Sequence, residues 1–266
     1  VFLVPAVRGL QWGFGAVGNA EWTGIPLSAL LDRAKLKPGA REVVLVGADS
    51  GMIAADPATP GVIPYDRGIP LEKARRPEVL LAWAMNGQPL TPSHGAPLRA
   101  VVGGWYGMAS VKWLTRIVVT DRPHQGYWQT FDYSYFDRKD GLPALAPLTA
   151  MQPKASVGRP AVGEVIPAGN PYTVRGAAWA GEAAVEKVEV SADGGASWAS
   201  AKLLGDPKPF CWRLWEYAWA VPDKPGPVSL LARATDANGA TQPDKRDPDR
   251  RTYMINHLVP VDVTVR

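Results

Sequence analysis

Cysteine is nearly absent: Cys211 is the single one in 266 residues. One thiol excludes an internal disulfide, a cysteine-based zinc site and a c-type haem attachment. Long apolar runs are missing too, and none reaches the ~20 residues that a membrane-crossing helix needs. Charge of one sign is not in excess, since 29 basic and 25 acidic residues leave a formal net charge of +4. The first 150 residues hold 15 basic against 12 acidic residues, and the remainder 14 against 13. No charged tail gathers, which argues against nucleic acid or a membrane surface as partner and leaves room for a locally basic pocket for a small anion. Internal repeats and low-complexity tracts are absent. The opening VFLVPAV has no initiator Met and no signal-peptide pattern, and has the texture of a protein's interior.

What is present suffices for a buried core and two domains: 46% of residues are hydrophobic. Residues 1–24 alternate apolar side chains with glycine and read as a loop-rich wall. Residues 25–36 carry leucines at helical spacing, with Pro26 tolerated in the first turn. Residues 42–46 read as a short strand leading into Gly47, Ala48 and Asp49. Residues 69–75 suggest a short helix, 77–85 an apolar segment, Asn86–Gly87 a hairpin turn and 111–119 a further strand. Residues 120–150 are rich in aromatics and proline, with little regular pattern. Helices and strands mix without a βαβ repeat, which predicts an α+β class for residues 1–150. From about residue 153 short strands near 172–178, 185–192, 210–219, 227–235 and 258–265 follow one another, parted by turns such as Asp193–Gly194–Gly195 and Asn238–Gly239. That spacing predicts an antiparallel sandwich over residues 151–266. Cys211, in FCWRLW, reads as a small core residue and not as a metal ligand.

The chemistry concentrates in residues 94–113, HGAPLRAVVGGWYGMASVKW. His94, Arg99 and Lys112 suit an anion, and the glycines after the apolar run 100–102 let backbone N–H groups approach a ligand. Arginine offers phosphate a planar fork and lysine a point charge. An ordinary strand and turn with surface cations is the competing reading.

The stretches GLQWGFGAVGNAEWTG, GADSG, LLAWAMNGQPL, HGAPLRAVVGGWYGMASVKWL and YWQTFDY resemble, in order and spacing, the molybdopterin-binding core of the sulfite oxidase family. The last hundred or so residues resemble that family's C-terminal immunoglobulin-like dimerisation domain. The resemblance implies a molybdenum-molybdopterin cofactor. Its phosphate would be held by Arg99 and Lys112, with His94 as a third contact and Ser110 and Val111 completing the loop. Asp49 would accept hydrogen bonds from the pterin's N–H groups, an Asx turn being the alternative. Tyr133 would sit beside the reacting oxygen as donor and proton relay, with Tyr127 and Tyr135 as nearby alternatives and plain aromatic packing as the competing role. Trp12 would wall the substrate pocket or pack in the core, and Arg8 matches a position that is cationic in relatives. Arg251, rather than Arg250, would bind the oxyanion or belong to a solvated charge run. Pro248 and Thr252 stand there where relatives often show tryptophan and glycine.

By the same resemblance the activity is oxidation of sulfite to sulfate by oxygen-atom transfer, with electrons leaving to an external cytochrome c-type acceptor. The protein would be a homodimer through its C-terminal domain, in the periplasm or otherwise exported. Another sulfur compound, an S-oxide or nitrate is an alternative substrate, and a non-catalytic interaction module with a vestigial pterin site is an alternative of a different kind. The chain begins just after the segment that supplies the family's cysteine ligand. No residue here is therefore expected to ligate the metal, and the isolated chain is expected to hold little molybdenum and to be inactive.

Overall fold

The computed structural model describes residue 13 and residues 16–266. The chain divides into two compact units: one holds residues 20–150 together with Asp249–Tyr253, the other 151–248 and 254–266 with the described residues before Ala20. Trp12 and Arg8 lie outside the described residues.

The first unit contains, in chain order, the strands β1 (Trp22–Pro26), β2 (Glu42–Gly51), β3 (Ile63–Pro70), β4 (Val79–Met85), β5 (Gln88–Pro89), β6 (Arg99–Val102), β7 (Leu114–Thr120), β8 (Ser134–Lys139) and β9 (Leu142–Pro147). Two short helices, α1 (Leu27–Ala34) and α2 (Leu71–Ala74), join them. In one sheet β4 pairs with β1, β5 and β6; in another β2 lies between β3 and β7; β8 and β9 form a hairpin. All these pairings are antiparallel. After Glu42, strand β2 continues with Val43, Val44, Leu45 and Val46, all buried, as expected of a central strand covered on both faces. Leu27 and Leu31, four residues apart on α1, pack with Val43, Leu45, Leu81 and Val102 in one core. Burying each such side chain stabilises the fold by about 1.5–3 kcal/mol.

Several expected elements have different bounds. The predicted helix loses Ile25 and Pro26 to β1, because they pair with Leu81 and Leu80. GADSG is not a turn: β2 runs through it to Gly51, with its register against β3 shifting between Val46 and Ser50. The strand expected at 111–119 starts only at Leu114, because Trp113 has φ +48° and breaks the extended run. The stretch 120–150 holds a wide helical turn at Trp128–Asp132 and the β8–β9 hairpin. Asn86 (φ +52°) and Gly87 (φ +73°) do form a tight hairpin turn between β4 and β5.

The second unit contains β10 (Lys154–Arg159), β11 (Val165–Ile166), β12 (Pro171–Trp179), β13 (Val185–Ser191), β14 (Ala199–Ser200), β15 (Lys202–Leu203), β16 (Arg213–Ala220), β17 (Gly226–Asp236) and β18 (Val261–Val265). They form two sheets, β10-β12-β16-β15 and β11-β18-β17-β13-β14, which enclose one core that includes Val174, Val188, Trp215, Leu230 and Val263. This is a sandwich whose alternate residues point inward. The turn at 193–198 joins β13 to β14, but only β14 is an edge strand. Cys211 is half-buried and precedes β16 instead of lying in it. Close approach inside the sandwich requires Gly176. A Cβ there would fall 2.0 Å from the Ser156 carbonyl oxygen and 2.4 Å from the Trp215 ring. Gly176→Ala should cost about 1–3 kcal/mol, seen as a lower urea midpoint at unchanged m-value; an unchanged midpoint would contradict this packing.

Candidate functional site

Two loops of the first unit converge on one turn. Arg99 opens β6 and donates from Nη1 to the His94 carbonyl (3.1 Å), from Nη2 to the Ser110 carbonyl (3.1 Å) and from Nε to the Ala100 carbonyl (3.3 Å). Lys112 Nζ donates to the Ser93 carbonyl at 3.1 Å. The two cationic tips thus reach consecutive carbonyls of the Pro92–His94 turn. Their cationic groups lie over indoles, Arg99 Cζ 4.8 Å from the Trp22 ring centroid and Lys112 Nζ 4.4 Å from that of Trp113. Among the described residues neither cation has a carboxylate within ion-pair distance. Burial pulls the Arg99 pKa below its ordinary value, the sign of a charge separated from water without a counter-charge.

The remaining loop residues meet at the same place. Ser110 Oγ accepts the Val102 N–H (3.0 Å), and the Val111 carbonyl accepts the Ala100 N–H (2.8 Å), so these two residues shape the loop. His94 Nδ1 lies 2.8 Å from Thr91 Oγ1. Asp49 is brought in from β2, because the Ala48 N–H donates to the Trp113 carbonyl (2.8 Å). A Cβ on Gly47 would lie 2.3 Å from Asp49 Oδ1 and 2.9 Å from the Lys112 carbonyl oxygen; the missing side chain is what lets the carboxylate turn in. Asp49 Oδ1 is buried and has no hydrogen-bond partner. An unpaired buried acceptor costs about 1–3 kcal/mol, so its retention points to a donor supplied from outside the chain.

Tyr133 follows the Trp128–Asp132 turn, its backbone fixed by hydrogen bonds to Trp128 and from Leu148. Its ring lies between Tyr65 (6.3 Å, edge-on) and Tyr253 (5.3 Å, tilted). No hydrogen bond to its hydroxyl is found among the described residues. Tyr127, by contrast, donates its hydroxyl to the Pro57 carbonyl (2.5 Å), and Tyr135 lies under the Arg250 guanidinium (4.6 Å). Tyr65 links this cluster to the anion loop: its hydroxyl donates to the Met108 carbonyl at 2.8 Å.

Arg251 has a structural task. Its Nη1 donates to the carbonyls of Phe131 (2.7 Å), Asp132 (3.3 Å) and Ser134 (3.2 Å) and to Ser134 Oγ (2.6 Å). That arm of the guanidinium clamps the loop carrying Tyr133. Tyr253 donates to Asp132 Oδ1 (3.1 Å), and Arg138 grips Asp249 through Nε (2.5 Å) and Nη2 (2.9 Å).

Arg67 was not singled out in the sequence. It is fully buried on β3 and donates from Nη2 to the Leu148 carbonyl. The alternation Tyr65, Arg67, Ile69 along a strand was the available signal, since it sets a cation on the inward face. Burial, above other causes, holds the phenol pKa values of Tyr65, Tyr133 and Tyr253 above the ordinary value. Raised folded-state values mean stability that is complete below the ordinary phenol pKa of ~10 and is lost as pH rises toward the folded-state values. Denaturant midpoints should therefore fall above about pH 10, and fall less steeply in Tyr133→Phe; equal slopes would show that the Tyr133 phenol is not held in this way.

Comparisons with known proteins identify the family. Residues 2–128 match the model of the oxidoreductase molybdopterin binding domain, and residues 146–265 that of the Mo-co oxidoreductase dimerisation domain. Mitochondrial sulfite oxidase of Drosophila melanogaster is 36% identical over 91% of this chain and 44% of its own length; that of Homo sapiens is 36% identical over 92% and 46%. Nitrate reductase [NADH] 1 of Arabidopsis thaliana is 32% identical over 91% of this chain and 29% of its own length. Among solved structures, the sulfane dehydrogenase SoxCD from Paracoccus pantotrophus superposes with a TM-score of 0.76 at 28% identity, over 91% of this chain and 59% of the other. The chain thus spans less than half the length of these sulfite oxidases. The residues in place fit a phosphorylated pterin: Asp49 Oδ1 is a buried acceptor awaiting a donor, and Arg99 and Lys112 are cations awaiting an anion. With its two family models, its relatives and this site in agreement, the chain belongs to the sulfite oxidase family of molybdopterin-binding oxidoreductases.

Proposed function

We propose that the protein is a molybdenum-cofactor oxidoreductase of the sulfite oxidase type, which oxidises sulfite to sulfate and passes electrons to an external cytochrome c-type acceptor. The observation that carries the reading is the meeting of two unneutralised cations, Arg99 and Lys112, with the partnerless Asp49 oxygen around one loop pair. Arg99 offers its fork and Lys112 its point charge to the cofactor's phosphate. Asp49 accepts from the pterin N–H groups, and the backbone at Ser110 and Val111, with His94, completes the cradle. When bound, the molybdenum–pterin group supplies the two-electron redox couple and oxygen-atom transfer. Tyr133 directs its phenol at the substrate oxyanion. A phenol is protonated at neutral pH, and burial raises its pKa further, so it acts as a hydrogen-bond donor. Arg251 acts through Tyr133 by holding its loop.

Homodimerisation through the second unit, an immunoglobulin-like sandwich in this reading, and an exported, periplasmic location complete the proposal. The match of residues 146–265 to a dimerisation domain supports the first, and sedimentation of the full-length protein tests it. Fractionation of cells carrying the full-length protein tests the second. A sulfur-chain substrate is a second reading, favoured by the likeness to sulfane dehydrogenase SoxCD, and nitrate a third, favoured by the nitrate reductases among the relatives.

Three experiments on the full-length protein test these readings. Replacing both Arg99 and Lys112 by alanine should lower molybdenum and pterin content at least about tenfold, as expected when paired charges on one phosphate are removed. Unchanged content would instead favour a non-catalytic interaction module. Steady-state assays with sulfite, sulfane sulfur and nitrate should give turnover with sulfite and reduction of cytochrome c. Tyr133→Phe should lower kcat about 10–100-fold with cofactor content intact; an unaltered kcat would remove Tyr133 from the chemistry.

A further inference from the structure

The turn that leads to Tyr133 buries the opposite residue from the one an apolar core would choose. Of Trp128–Asp132 only Gln129 is buried, at 6% exposure, while Phe131 stands 43% exposed. Burial preference alone would take the phenylalanine inward and leave the glutamine in water. The turn is also a wide one, closed by the Tyr133 N–H on the Trp128 carbonyl (2.8 Å), a form frequent at functional sites. Hydrogen bonds, not apolar contact, must therefore orient it, since a buried amide is tolerated only where its groups are paired.

Gln129 is paired at both ends of its amide. Oε1 accepts the Gly68 N–H of β3 (2.8 Å), and Nε2 donates to Glu42 Oε1 of β2 (3.3 Å) and to the His124 carbonyl (3.3 Å). The other Glu42 oxygen accepts the His124 backbone N–H (2.6 Å), so one carboxylate holds the 124–129 segment at two points. Trp128 Nε1 adds a tie to the Pro64 carbonyl of β3 (2.9 Å). The approach depends on Gly68, where a Cβ would collide with Glu42 Oε1 and fall 2.7 Å from His124 Cβ. All these residues belong to the first unit.

β2 carries Glu42 at its first position and Asp49 seven residues on. The strand that brings Asp49 to the pterin loop thus also holds the turn leading to Tyr133. Tyr133 follows Gln129 by about one helical turn, so drawing the amide inward turns the half-buried phenol inward with it. Arg251 holds the later part of the same segment, residues 131–134. We propose that Gln129 is a positioning residue for the reaction: anchored on Gly68 and Glu42, it sets where the Tyr133 phenol stands relative to the cofactor cradle. This role rests on the part given to Tyr133 under the sulfite oxidase reading.

Two measurements on the full-length protein test it. Gln129→Met, similar in size but without the amide, should leave cofactor content unchanged and lower kcat about 3–10-fold, the scale of a slight misplacement of a reacting group. In a Tyr133→Phe background the same substitution should leave kcat unchanged, because its effect passes through that phenol; an equal fall in both backgrounds, as from a general loosening of the fold, overturns the proposal. Hydrogen exchange, which needs no bound cofactor, should run at least about tenfold faster in Gln129→Met over residues 126–134 and at the parent rate over 99–112. Parent rates over 126–134 overturn the proposal as well. Should Gln129→Met not fold, Gln129→Asn, one methylene too short to span these partners, goes through the same cycle and exchange. Absence of turnover in the parent protein counts instead against the sulfite oxidase reading, and exchange alone then decides whether Gln129 anchors the turn.

Discussion

Unpaired charge held close to the protein interior is the constraint on which the first unit depends. Arg99, Lys112 and Asp49 come together around the turns at 92–94 and 110–113 without neutralising one another. Such an arrangement lowers stability by itself, and it persists because the surrounding frame is over-determined. β2 is buried between two partner strands, and Leu27 and Leu31 of α1 close the same core. The short, tightly bonded loops leave the polar groups no freedom to collapse onto each other. A site whose own groups are unsatisfied is prepared for a ligand that satisfies them, with little reorganisation on binding.

Tyr133 is held by a different device. Its loop has a single wide helical turn and few backbone bonds, so residues distant in sequence fix it. Arg251 ties four oxygens of the 131–134 segment, Tyr253 takes Asp132, and Asp249 takes Arg138. The edge-on ring contact with Tyr65 then joins the phenol to the anion loop through Met108. Position comes from charge-assisted bonds to carbonyls, and burial raises the pKa of the phenol above its ordinary value. A substitution at Arg251 is therefore expected to disturb the placement of Tyr133.

The two units rest on different physics. The sandwich is a conventional apolar core in which Gly176 admits Trp215 against the neighbouring strand. The first unit gives part of its interior to Arg67, Asp49 and the three phenols, polar groups that raise the cost of folding.

The sequence by itself determined the sandwich, the hairpin at Asn86–Gly87 and the grouping of His94, Arg99, Ser110, Val111 and Lys112, because these rest on local signals: period-two alternation, turn residues that tolerate positive φ, and closeness along the chain. It placed Asp49 near that group only through resemblance, and it misjudged where strands begin around Ile25 and Trp113, where a neighbouring strand or one left-handed residue overrides the pattern. Only the tertiary structure decided that Asp49 Oδ1 lacks a partner, that Arg251 clamps the Tyr133 loop, and that Arg67 is buried. Burial and unsatisfied hydrogen bonding depend on atoms brought from distant parts of the chain, and no local pattern of residues encodes them.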